Sequence, residues 1–164
     1  MKTTAIIVAA GSGSRFKSDT PKQFLEINGK PIIVHTLERF ERAPSIDSIV
    51  LVLRADQVER VDSKIVSKLE YVVAGGETRS HSVLNGLNAI DRKTEIVAVH
   101  DGARPLVTIG EIERIVSKAK ETGAACLVAP VTDTIKSIGV GEIVATLDRT
   151  KLRRAMTPQA FKLD

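Results

Sequence analysis

The run Thr4-Ala5-Ile6-Ile7-Val8 contains no polar alternation, and this excludes most of the architectures open to a short chain. A β-branched apolar run of this length reads as a strand buried on both faces, which demands a covering layer above and below it. Further short runs follow at Ser48 to Arg54, with Ile-Val-Leu-Val-Leu at its centre, at Tyr71-Val72-Val73-Ala74, at Glu95-Ile96-Val97-Ala98-Val99 and at Ala125 to Ala129. Between them, apolar residues recur at helical spacing. One helix is expected from Pro31, a residue suited to a first helical turn, to about Ala43. Others are expected over Val58, Val61, Ile65 and Leu69, over Val83, Leu84, Leu87 and Ile90, and over Ile109, Ile112, Ile115, Val116 and Ala119, the last closed by Gly123. Short runs alternating with helices predict an α/β fold, a Rossmann-like, mostly parallel sheet with helices on both faces.

After Pro130 the pattern changes. Thr134 to Asp148 alternates apolar and polar residues around Gly139-Val140-Gly141, which predicts a protruding β-hairpin arm over about 132–150. An exposed hairpin invites pairing with a second subunit. The 164 residues suffice for one domain with a proper core, and no linker or repeat divides them.

Composition narrows the partners. A formal charge of +4 favours anionic ligands. With no Trp, one Tyr and four Phe, and with basic residues scattered, the chain is poorly equipped to bind nucleic acid. Met1-Lys2 and the following apolar run resemble the start of a signal peptide, but Gly11 to Arg15 cuts it short, and no stretch reaches membrane-spanning length. The expectation is a cytoplasmic protein. The single Cys126, within Ala124-Ala125-Cys126-Leu127-Val128, is expected to be a buried strand residue.

The first run leads into Ala9-Ala10-Gly11-Ser12-Gly13-Ser14-Arg15, with Pro21-Lys22-Gln23 six residues later. This places a glycine-rich turn and two cations at the carboxyl end of an interior strand, where open α/β sheets bind ligands. Gly11 and Gly13 let backbone N–H groups converge on a phosphate, so the arrangement suits a nucleoside triphosphate. Taken alone, it also fits a simple turn beside a solvated arginine. A P-loop is excluded because no Gly-Lys-Ser/Thr follows, and the dinucleotide fingerprint fails at Arg15 and Phe16.

Three more segments carry chemistry. In Gly75-Gly76-Glu77-Thr78-Arg79-Ser80-His81-Ser82-Val83, backbone groups and the Ser82 hydroxyl could meet the edge of a base, or Thr78 or Ser80 could simply cap a helix. In His100-Asp101-Gly102-Ala103-Arg104-Pro105, Asp101 could hold Mg²⁺, while Arg104 could pair with Asp101 or hold an anion, and His100 reads as a residue of the fold. Around the hairpin, Thr134, Lys136 and Arg149 could bind a second phosphate-bearing ligand or serve as solvated edge chemistry.

The order and wording of these segments, with Asp133-Thr134-Ile135-Lys136, Asp148-Arg149 and Thr157-Pro158-Gln159, resemble the 2-C-methyl-D-erythritol 4-phosphate cytidylyltransferase family. The resemblance covers essentially the whole chain. It implies a fold of the nucleotide-diphospho-sugar transferase type and transfer of CMP from CTP to a polyol phosphate, with Mg²⁺ and a homodimer. Arg15 and Lys22 would then be the catalytic cations. Ala9, Ala10, Gly11, Gly13, Gly76, Glu77, Ser82 and Asp101 would bind the nucleotide, with Asp101 also near the metal. Arg104, Thr134 and Arg149 would bind the polyol phosphate, the last two reaching the site from the neighbouring subunit's arm. Family members continue beyond the segment at Thr157, so the resemblance also implies that the C-terminal part of the family domain is absent from this sequence. Two rival readings are a ribitol 5-phosphate cytidylyltransferase and a non-catalytic CTP-binding or dimerisation module.

Overall fold

A computed structural model describes residues 1–11 and 20–163. The first strand, β1 (Lys2–Ala9), is followed by the short hairpin β2 (Glu26–Ile27) and β3 (Lys30–Pro31), then by α1 (Ile32–Glu41), β4 (Ser48–Leu53), β5 (Leu69–Ala74), α2 (Arg79–Ala89), β6 (Thr94–Asp101), α3 (Ile109–Thr122) and β7 (Ala124–Pro130). The chain ends in β8 (Lys136–Gly139), β9 (Glu142–Thr146) and β10 (Arg153–Lys162). Six strands form one sheet in the order β5-β4-β1-β6-β10-β7. Pairing is parallel from β5 to β6, and β10 runs antiparallel between β6 and β7.

The unbroken apolar runs follow from burial on both faces. Ile7, Leu51, Leu53 and Ala98 face α1 and α3, where Ile33, Leu37, Phe40, Ile112, Ile115, Val116 and Ala119 complete the larger core. Ile6, Val50, Val52, Val97 and Val99 face the other way, against Val83 and Leu87. Gly86 lets α2 settle onto the sheet, since a methyl group there would meet Ile6 Cγ2 at 2.6 Å. Helix α3 opens with a reciprocal Thr108–Glu111 capping box, and Gly123, at φ +85°, donates its N–H to the Ala119 carbonyl.

Strands β8 and β9 form a two-stranded sheet of their own. Val140 and Gly141 make its two-residue turn with φ of 48° and 85°, as the primed hairpin turns require. Ile138, Val140, Ile143, Val144 and Leu147 are all exposed on it.

Two expectations are corrected, and one strand lies beyond them. Val58 to Leu69 forms no α-helix: a 3₁₀ segment covers Ala55–Arg60 and turns follow. There, Asp62 accepts the Lys64 N–H through its carboxylate and the Ile65 N–H through its carbonyl, a local pattern that competes with helix. Cys126 is exposed, because β7 is an edge strand covered by α3 on one face only. Strand β10 lies beyond the elements predicted from the sequence, because Pro158 interrupts its apolar pattern; in the structure Pro158 lies where the ladder to β7 breaks between Ala155 and Gln159.

Candidate functional site

The carboxyl ends of β1, β4 and β5 lie side by side, and a cleft of about 560 Å³ opens above them. Ala10 lines it from β1, Arg54, Ala55 and Asp56 from the end of β4, and Gly75, Gly76 and Glu77 from the end of β5. Gly75 is required by close approach: its N–H is tied to the Leu53 carbonyl at 2.7 Å, and a Cβ would run into Ala10 Cβ and lie 2.8 Å from Ser82 Oγ.

Ser82 and Thr78 divide the work in the turn that follows. Thr78 caps α2 by accepting the His81 N–H at 3.1 Å. The Ser82 hydroxyl is buried, donates to the Thr78 carbonyl at 2.9 Å and accepts the Gly76 N–H at 3.2 Å. The helix-capping alternative read from this segment is present through Thr78, and the glycine turn borders the cleft.

On the other side of β1, Val8 pairs with Asp101 at the end of β6. Arg79 Nε and Nη2 both donate to Asp101 Oδ1, at 3.1 and 3.0 Å, and Arg104 Nε donates to Oδ2 at 2.8 Å. Partial burial pushes the Asp101 carboxyl up, but the hydrogen bonds from Arg79 and Arg104 outweigh it and hold the group below the ordinary carboxylate value. Arg104 thus takes up the pairing with Asp101. Next to it, His100 is fully buried, 5.0 Å from the Phe40 ring centroid. Its Nε2 lies 3.1 Å from the Arg104 carbonyl, which can only accept, so Nε2 carries the proton, and among the described residues Nδ1 is left without a partner. Burial drives its pKa down to about 4.

The segment carrying Lys22 is fastened to the same edge. Lys22–Phe24 forms a 3₁₀ turn in which Lys22 is exposed, while the buried Gln23 donates through Nε2 to the Ala9 carbonyl at 2.9 Å. Ala9 is buried, and Gly11 is exposed at the strand exit. Gly13 and Arg15 lie outside the described residues.

Among the described residues, no group of three or more His, Cys, Asp and Glu side chains stands together as a metal site. Asp101 Oδ1 is taken twice by Arg79 and, among the described residues, Oδ2 receives one hydrogen bond, from Arg104.

A family model described as IspD, 2-C-methyl-D-erythritol 4-phosphate cytidylyltransferase, matches residues 3–164. The chain belongs to that family. It is 43% identical over 166 residues to the enzyme of that name from Syntrophus aciditrophicus, covering 98% of this chain and 71% of the relative. It is 45% identical over 169 residues to the enzyme of that name from Clostridium novyi, covering 99% and 73%. The fold agrees with the crystal structure of 4-diphosphocytidyl-2C-methyl-D-erythritol synthase from Anaerococcus prevotii at a TM-score of 0.81 and 31% identity, over 98% of this chain and 70% of that one. For the cytidylyltransferase of Francisella tularensis the TM-score is 0.78 at 34% identity, over 99% and 73%.

Against this family background, the structure brings Ala10, Gly76 and Glu77 into one cleft, with Ser82 behind Gly76. Thr134 and Arg149 lie away from it, at the base of the hairpin, where Arg149 Nη1 donates to the Thr132 carbonyl at 2.6 Å and the Leu147 N–H to the Ile135 carbonyl at 2.9 Å. Four residues of this edge escaped sequence reasoning. Arg54 and Asp56, joined by two 3.0 Å hydrogen bonds, line the cleft. Their signal was position: they directly follow a buried strand, as Ala10 does. Gln23 and Gln57 are the others, and their burial leaves no trace in residue type.

Proposed function

We propose that this chain transfers CMP from CTP to 2-C-methyl-D-erythritol 4-phosphate, giving the CDP-alcohol and pyrophosphate in non-mevalonate isoprenoid precursor synthesis. The observation that carries the reading is the single cleft that gathers Ala10, Gly76 and Glu77 at the strand ends of a chain of this family.

In this reading, a phosphate monoester oxygen of the polyol attacks the α-phosphorus of CTP. The new P–O bond forms as the bond to the bridging oxygen of the β-phosphate breaks, and pyrophosphate leaves. The attacking oxygen is already anionic at neutral pH, so no strong general base is needed. Acceleration then comes from positioning and from neutralising charge, the roles we assign to Lys22 and Arg15. The Gly75-Gly76 turn, with Ala10, Glu77 and the Ser82-held backbone, supports a pocket in which fixed partners read the cytosine edge.

The Asp101 carboxylate, whose Oδ2 accepts one hydrogen bond among the described residues, suits Mg²⁺, which is commonly held by one or two carboxylates together with substrate phosphates. Bound there, Mg²⁺ would supply charge neutralisation on the triphosphate. Arg79 and Arg104 keep Asp101 ionised and oriented for it. The exposed apolar residues of the β8–β9 hairpin support a homodimer, because an isolated two-stranded hairpin is marginal in water. In that dimer, Thr134 and Arg149 would serve the partner's substrate phosphate. A CTP-dependent enzyme with one unpaired cysteine fits a cytoplasmic setting.

The test is pyrophosphate release from CTP and Mg²⁺ with either 2-C-methyl-D-erythritol 4-phosphate or ribitol 5-phosphate. Release with the first alone is the expected result. Release with the second alone overturns the substrate assignment, and binding of CTP without release in either case overturns the activity.

A further inference from the structure

Two short 3₁₀ segments meet beside the cleft, and they have different jobs. Lys22–Phe24 carries the exposed Lys22, and Ala55–Arg60 begins with two residues that line the cleft, Ala55 and Asp56. Neither belongs to the sheet, and short 3₁₀ turns, with their poorer hydrogen-bond geometry, gain from side-chain contacts. Among the described residues, a hydrogen bond and a cation–π contact join them. Gln23 Nε2 donates to Gln57 Oε1 at 2.8 Å, and the Arg60 guanidinium sits 4.5 Å from the centroid of the Phe24 ring.

The first contact is built into the interior. Gln23 is 3% exposed and Gln57 2%, so a partnerless amide at either position would bear the full cost of desolvation. The same Gln23 nitrogen also donates to the Ala9 carbonyl at 2.9 Å, one residue before the cleft-lining Ala10. Gln57 is held in turn by its N–H, which donates to the Arg54 carbonyl at 2.9 Å. One amide thus ties the lysine-bearing turn both to the end of β1 and to the opposite wall of the cleft.

We infer that Gln23, with Gln57, is a positioning residue that sets Lys22 against the triphosphate. This rests on the proposed nucleotidyl transfer, in which Lys22 meets the phosphates. A long, flexible lysine on an exposed turn loses its effect when its main chain shifts, and a displacement of about 1 Å can cost a hundredfold in rate. The clasp removes that freedom. It predicts coupling: the benefit of Gln23 is delivered through Lys22 and vanishes when Lys22 is absent.

The experiment measures the affinities of CTP and CMP by calorimetry in the wild type, Gln23→Met, Gln57→Met, Lys22→Ala and the Gln23→Met/Lys22→Ala pair, with kcat and KM alongside. CTP and CMP share the base and differ in the phosphates that Lys22 would meet. Gln23→Met should reduce the CTP-over-CMP preference by about tenfold, leave CMP affinity intact and lower kcat more than it raises KM. Gln57→Met, which keeps the Ala9 bond, should produce a smaller loss of the same kind, and it carries the test if Gln23→Met fails to fold. In the Lys22→Ala background, Gln23→Met should change the preference by less than about twofold. Equal losses in both backgrounds, or an unchanged preference in folded single variants, overturn the clasp. A wild type that prefers CTP no more than CMP defeats the nucleotide reading itself, and the clasp falls with it.

Discussion

Arg79, at the start of α2, and Asp101, at the end of β6, approach from opposite sides of strand β1, and they are joined by two hydrogen bonds from one guanidinium to one oxygen, at 3.1 and 3.0 Å. The turn beside the cleft is thereby tied to the end of β6. Asp101 titrates low because Arg79 and Arg104 together outweigh its partial burial. A lowered carboxyl contributes stability that is present above the ordinary value of 3.8 and is lost as pH falls through the lowered one. Arg79→Ala should cost about 0.5–1 kcal/mol at neutral pH, discounted because the arginine is half exposed. Urea melts of both proteins should converge in acid. A gap that persists there would show that Arg79 acts through something other than Asp101.

The Lys22 side chain is exposed, and among the described residues it forms no ion pair, so its removal separates chemistry from structure. Lys22→Ala should lower kcat by roughly 10²–10³-fold, as the loss of other fixed electrostatic donors does. Its melting temperature should match that of the wild type. Turnover near the wild-type rate removes Lys22 from the mechanism.

Gly75 is hemmed in by Ala10 and Ser82, and its own N–H is anchored to Leu53. The methyl group of Gly75→Ala would have to push the turn into the cleft, at a cost of about 1–3 kcal/mol. CTP dissociation constants should rise by about tenfold or more. Affinity equal to that of the wild type would mean that the nucleotide does not use this wall.

His100 makes the fold sensitive to acid. Its ordinary pKa of 6.5 falls to about 4 in the folded protein because burial disfavours the imidazolium. Between these values the unfolded chain binds more protons than the native one, so stability declines as pH drops from 6.5 toward 4. The full loss is about 3 kcal/mol. Chemical denaturation across that window should show the decline, and His100→Asn, if folded, should flatten it. A wild type with constant stability over the window would contradict the buried neutral imidazole.

Much of the fold could be read because burial on both faces writes itself into composition: Thr4 to Val8 and Ile49 to Leu53 have no polar residue pointing outward. The glycine turn at Gly75 was legible for a related reason, since close approach excludes side chains. What escaped was decided by neighbours. Val58, Val61, Ile65 and Leu69 have helical spacing, yet local hydrogen bonds at Asp62 set turns instead. Cys126 sits among apolar residues, but its burial depended on whether anything covers that face of β7. Gln23 and Gln57 are ordinary polar residues until the fold closes over them, and Arg54 gains meaning only when β4 is placed beside β1.

The way β10 returns to the sheet determines the mechanical character of the arm. Its two legs are β7 and β10, which are neighbours, with Arg153 opposite Pro130 and Arg154 opposite Ala129 at the root. The hairpin therefore springs from a paired ladder and not from a tether. Thr134 and Arg149 lie between that ladder and the β8–β9 sheet, where the Arg149–Thr132 and Leu147–Ile135 hydrogen bonds join the two legs. A one-residue slip at the root would redirect both of them together.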